Sequence, residues 1–211
     1  RGSIEPDPKL INLLMDHYDP IIANSFSNVE KKYQVTRNIT ARDPVSLATY
    51  AGAQMDLEDG PAAAVVTITD FDTHADQGAD NKQHHDQLAV VDDVFLGFKR
   101  GLRTKWKDTI ILTLTEFGRT VKPNGSKGTD HGYGSVGLLA GGRLNGGKII
   151  VQWPGLSKKD LFENRDLQST IDYRSVCAAC IEEAYGLDHG LISSKIFYSS
   201  NLMRIHDLLF K

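Results

Sequence analysis

The chain has 211 residues, 40% hydrophobic and 24% charged, which suits one α/β domain with a substantial core. Its net charge of −3 leaves no basic footprint for nucleic acid or anionic lipid, and no stretch approaches the roughly 20 apolar residues of a membrane span. Residues 1–8 are polar and proline-bearing, without an initiator methionine; they read as no signal peptide, and localisation is not legible from this end.

In chain order, Leu10, Leu13, Leu14, Ile21 and Ile22 give an apolar stripe over about residues 8–34, interrupted at Pro20. Asp43-Pro44 starts a second helix through about Met55, with Asp43 as N-cap and Pro44 in the first helical position. Gly60-Pro61 closes this N-terminal helical region of about residues 8–57. Residues 62–69 (AAAVVTIT) are continuously apolar and β-branched, the pattern of a strand covered on both faces in a parallel sheet. A polar loop over residues 70–83 precedes a long helix whose apolar stripe reads as Leu88, Val91, Phe95, Phe98 and Leu102. A second buried strand is expected at residues 109–115, giving the strand–helix–strand order of a right-handed crossover. After a glycine-rich stretch, residues 148–152 read as a short strand. A last helix spans roughly residues 169–185, with Gly186 as its stop. No repeat or linker interrupts the chain, so residues 1–211 read as one domain with its core at about 62–187.

Ligand sites of such sheets gather beyond the carboxyl ends of the strands. Two segments there carry chemistry, Phe71-Asp72-Thr73-His74 and Thr115-Glu116-Phe117-Gly118-Arg119-Thr120, and a third, Gly128-Thr129-Asp130-His131-Gly132, sits in a glycine-rich loop. Asp72 and His74, two apart, project to one side of an extended segment. Asp130 and His131 are adjacent, so they need a tight turn to converge or serve two neighbouring ions; Gly128, Gly132 and Gly134 would permit the turn. Three carboxylates and two imidazoles suit zinc, manganese or magnesium better than an all-oxygen calcium cage. Asp72, His74, Asp130 and His131 are the expected metal ligands, Glu116 a ligand or general acid/base, and Arg119 an anion-binding fork. Singly, Asp72 is equally an Asx-turn or helix cap, and Glu116 a loop partner of Arg119. His84 and His85 read as helix-start surface residues or outer donors, and His17, His189 and His206 as structural or exposed. Cys177 and Cys180 have CxxC spacing but share the apolar face of the last helix, so they read as core.

These motifs resemble the C-terminal half of the bacterial family catalogued as domain of unknown function 1501, placed in the alkaline phosphatase and sulfatase-like superfamily. The likeness continues through Gly141-Gly142 with Gly146-Gly147, Trp153-Pro154-Gly155-Leu156 and Thr170-Ile171-Asp172-Tyr173-Arg174-Ser175-Val176, covering roughly residues 62–187. The resemblance implies a mainly parallel sheet flanked by helices, an alkaline phosphatase-like three-layer sandwich, whole or truncated, with metal ligands at the strand ends. It implies a metal-dependent hydrolase acting on a small anionic phosphate or sulfate ester, and export to the periplasm. The superfamily's nucleophile and first metal-binding Asp have no counterpart here; Thr115, Thr129 and Ser135 lie near the motifs without matching that context. The alternative is therefore a non-catalytic domain that keeps the fold and binds a cell-envelope component.

Overall fold

The computed structural model describes residues 44–78 and 82–211. The expected helix over residues 8–34 and the Asp43 cap lie outside them. Helix α1, Pro44–Asp56, forms where Pro44 marks its start, helix α2, Lys82–Leu102, forms where its periodicity predicts, and the two pack together. The residues at their contact are small. Ala48 and Gly52 of α1 meet Gly97 and Gly101 of α2, and a Cβ on Gly101 would lie 2.2 Å from the Thr49 carbonyl oxygen. Close backbone approach moves the buried stripe of α2 to Val94, Phe98 and Leu102, while Leu88 stays 50% exposed. Met55, Trp106 and Ile111 pack against this core. Lys105 caps the end of α1, its Nζ donating to the carbonyls of Met55 (3.0 Å) and Leu57 (2.6 Å).

The expected mainly parallel sandwich is overturned. Among the described residues the sheet structure consists of two antiparallel pairs of two-residue strands. Residues 62–69 form no strand and join no ladder; Val66 and Ile68 pack on the helical core while Val65 is 93% exposed. The run is thus covered on one side, where its composition called for two. Of residues 109–115 only β1, Ile111–Leu112, is a strand, and its partner is β4, Leu139–Ala140, in antiparallel register. The physical reason lies just beyond β4. Gly141, at φ 133°, turns the chain back so closely that a Cβ there would sit 2.0 Å from the Thr109 carbonyl oxygen, and Gly142 N donates to Trp106 O at 3.0 Å. The local apolar return occupies the edge a parallel neighbour would need. Residues 148–152 form no strand either, and Ile149 is 92% exposed.

The second strand pair, β2 (Gly118–Arg119) with β3 (His131–Gly132), carries the motif residues. Helix α3, Tyr173–Tyr185, begins at Asp172, whose carboxylate accepts the Arg174 amide (2.9 Å), and ends at Gly186 with φ 64°. One side of α3 supports a core of Ala179, Ile205, Leu209 and Phe210, and another a core of Ala178, Ile192 and Leu202. Cys180 packs in the first of these, and burial pushes its thiol up to about 12, where it is inert as a nucleophile.

The C-terminal segment is tied to α3 through two adjacent carboxylates. Glu182 accepts from Arg204 (2.6 and 3.0 Å), and Glu183 from Arg143 (2.7 Å) and His206 (2.8 Å). Desolvation works against the His206 cation, but hydrogen bonds to Asp207 and Glu183 outweigh it and raise its pKa above 6.5. Desolvation likewise opposes the Glu183 anion, and Arg143 and His206 hold its pKa below 4.5. His206 therefore stabilises fully below pH 6.5, and the contribution fades as pH rises through its raised folded value. Glu183 stabilises fully above pH 4.5, and the contribution fades as pH falls through its lowered value. The melting-temperature gap between wild type and His206→Gln should be widest between those limits and close at alkaline pH; a gap flat from pH 5 to 9 would show that the imidazolium contributes nothing.

Candidate metal centre

The centre is assembled by one loop-rich segment bonded to two others. After the apolar run, Asp70 at φ 72° redirects the chain. Residues 73–77 then run antiparallel to 126–129, through Ala75 opposite Lys127, Asp76 N to Ser126 O (3.0 Å), Gln77 N to Lys127 O (3.1 Å) and Thr129 N to Thr73 O (3.2 Å). Immediately downstream, β3 pairs with β2, placing Arg119 opposite His131 and Gly118 opposite Gly132. Glycine is required where these segments touch. A Cβ on Gly128 would lie 2.2 Å from the His74 carbonyl carbon, and one on Gly132 would lie 2.5 Å from that of Arg119. Two motifs are therefore in backbone contact with the ligand-bearing third.

Asp72 is the hub. Its Oδ1 lies 3.0 Å from His131 Nε2 and 3.4 Å from His74 Nδ1, and it accepts from Arg119 Nη1. The ligand atoms of Asp72, His74 and His131 fall within 4.8 Å of one another, and all three residues are exposed. The His131 ring is stacked on Phe117 at 3.8 Å between centroids and tilted against His74 at 4.9 Å. Desolvation pushes the Asp72 carboxyl up, but hydrogen bonds from Arg119 and His131 and the nearby imidazoles prevail and hold it below the usual carboxylate range. Two imidazoles and one carboxylate, open to solvent on one side, are a donor set that zinc accepts with a position left for substrate; the residues fit a divalent ion.

The other expected site residues are placed differently. Asp130 is next to His131 on extended chain, so the two side chains point to opposite faces. Asp130 Oδ1 accepts from Asn124 Nδ2 (2.9 Å), and the residue lines a cleft of about 210 Å³ with Lys122, Asn124, Asn164 and Arg165. Glu116 is exposed and makes no hydrogen bond or ion pair among the described residues. Arg119 does not face open solvent. Its guanidinium is spent on Asp72, on the carbonyls of Thr73 (2.8 Å) and Thr129, and on Thr129 Oγ1 (2.9 Å). His84 sits edge-on to Phe71 at 6.4 Å, and His85 pairs with Asp86 on the surface. Thr115 donates to Ser135 (3.3 Å).

Asn124 was not singled out by the motif reading, yet it knots the loops. Its Oδ1 accepts from Ser126 N (2.9 Å) and Gly128 N (3.0 Å), and its Nδ2 donates to His74 O (2.9 Å) as well as Asp130. The turn signal Pro123-Asn124-Gly125 announces this role, since Asn side chains bond backbone two residues on.

The family described as "Protein of unknown function (DUF1501)" matches residues 23–196. The chain belongs to it. The matched span contains every residue of the Asp72–His74–His131 cluster and the segments that hold it. Neither a comparison with curated proteins nor one with solved structures found a match. No helix among the described residues is long and apolar enough to cross a membrane.

Proposed function

We propose that this DUF1501 chain is a divalent-metal protein that acts hydrolytically on a phosphate or sulfate ester, with Asp72, His74 and His131 holding the ion. The observation that carries the reading is convergence. Residues 59 positions apart in sequence, Asp72 and His131, meet at 3.0 Å beside His74 on an exposed face. A bound divalent ion would supply Lewis acidity to the ester oxygen. The chain's own part is to hold three donors on one side and leave the other open, with Phe117 fixing the plane of the His131 ring. Asp130 lies apart from the three donors, in the cleft with Lys122 and Arg165, where its carboxylate is held by Asn124. The motif set also supports kinship with alkaline phosphatase and sulfatase-like hydrolases at the level of the site, and with it an exported, periplasmic setting.

A second reading has its own observation. Thr115 and Ser135 bond each other, Thr129 Oγ1 is engaged by Arg119 and Gln77, and Glu116 makes no hydrogen bond or ion pair and stands outside the Asp72–His74–His131 cluster among the described residues. That arrangement suits a metal-bearing domain that binds a cell-envelope anion without turning it over. Metal content of the purified wild type beside Asp72→Asn and His131→Ala is the first test. Stoichiometric zinc, manganese or magnesium lost in both variants supports the centre, and metal equal in all three sinks it. A screen of phosphate and sulfate monoesters on the loaded protein then separates hydrolase from binder.

A further inference from the structure

We propose that Arg119 is the positioning residue of this centre, acting on the ion through Asp72 and not on substrate; the inference rests on the metal reading above. Its side chain is 19% exposed and reaches both ligand-bearing segments at once. Toward the first it donates to the Asp72 carboxylate and to Thr73 O, the residue between the two ligands Asp72 and His74. Toward the other it donates to Thr129 O and Thr129 Oγ1, two residues before His131. Its own backbone pairs with His131 in the β2–β3 register. One planar fork therefore sets the spacing between Asp72 and His131, bridging the Asp72 carboxylate to the carbonyl of Thr129. Only guanidinium has donors enough, in fixed directions, for four such bonds; an ammonium is a point charge that can serve one segment but not bridge two. With its donors directed inward, it has little left for a substrate anion.

The charge alone makes the opposite prediction. A cation on the ligand carboxylate repels a metal ion, so if Arg119 merely neutralised Asp72, its removal would tighten metal binding. Positioning predicts that Arg119→Met and Arg119→Lys both weaken zinc, measured by calorimetric titration, by about tenfold to a hundredfold, the usual effect of losing a partner that orients a ligand. Cobalt(II) loaded in place of zinc adds a readout that a merely structural role would not move. Its visible bands should change intensity in Arg119→Lys, because the ligand geometry changes. Tighter binding in Arg119→Met, or wild-type affinity and spectrum in Arg119→Lys, overturns the proposal. If the Arg119 variants do not fold, Thr129→Val set against Gln77→Leu decides, since both lose the Thr129–Gln77 bond and only Thr129→Val also loses the Arg119 Nε bond, leaving the ion pair. Zinc binding weaker than in Gln77→Leu, at near-wild-type melting temperature, supports positioning, and affinity equal to that of Gln77→Leu overturns it. A wild type that binds no zinc, manganese or magnesium overturns the metal centre and this role together, so the two failures are distinct.

Discussion

Gly128→Ala should be among the most damaging one-carbon changes in this chain. The added methyl would lie 2.2 Å from the His74 carbonyl carbon, 2.3 Å from its oxygen and 2.5 Å from the Ala75 nitrogen, all backbone atoms without rotamers to move. The clash can be relieved only by parting residues 73–77 from 126–129. That would strain the Asn124 knot, whose Oδ1 accepts from Gly128 N and whose own amide donates to Gly128 O at 2.8 Å. Overpacking of this kind costs about 1–3 kcal/mol, and here the displaced backbone carries His74. Denaturant unfolding should show the stability loss, and zinc titration of the folded protein a weaker site. Gly125→Ala is the matched control. It lies three residues away in the same loop, a Cβ there meets nothing within 4 Å, and its φ is not positive, so its stability should stay within about 0.5 kcal/mol of wild type. Equal behaviour of the two variants would mean that the loops do not touch as described.

The same two loops show what could be read in the sequence and what could not. Asp72 and His74 share a side because extended chain has a period of two, and that was legible from their spacing alone. The identical rule separates Asp130 from His131, and it could be applied only once β3 was known to be extended and not a tight turn. Residues 62–69 were legible as an apolar run that seeks cover, though they form no strand. Their neighbours were not, since an apolar run states that it wants cover without stating from where. The antiparallel return of β4 onto β1 depends on Gly141 and Gly142 approaching the backbone of residues 106–109, a tertiary contact with no local signature beyond two glycines. Asn124 had a signature, Pro-Asn-Gly, but the stretch around it was read only as glycine-rich loop. Its four bonds make it the structural counterpart of Arg119, one from the amide side of the loop and one from the strand side.

Helix α2 carries the same lesson to its energetics, and Leu102→Ala against Leu88→Ala tests it. Both leucines belong to the stripe that periodicity selects, yet Leu102 is 1% exposed and Leu88 50% exposed. The stripe turned because Gly97 and Gly101, which look like weak points of a helix, are its contact surface with α1. Their missing side chains bring Ala48 and Gly52 close and draw Val94, Phe98 and Leu102 beneath. Truncating Leu102 should therefore cost about 2–5 kcal/mol, a large share of the about 5–15 kcal/mol that holds a domain together, while Leu88→Ala should stay within about 0.5 kcal/mol. The consequence reaches the metal centre through packing. Val66 and Ile68 rest on the core that Leu102 fills, and the chain runs from them directly to Asp72. Zinc affinity of Leu102→Ala, measured where the variant is still folded, should accordingly fall, and that of Leu88→Ala should not. Equal unfolding midpoints for the two variants would return the stripe to the position that periodicity alone assigns and detach the helical core from the site.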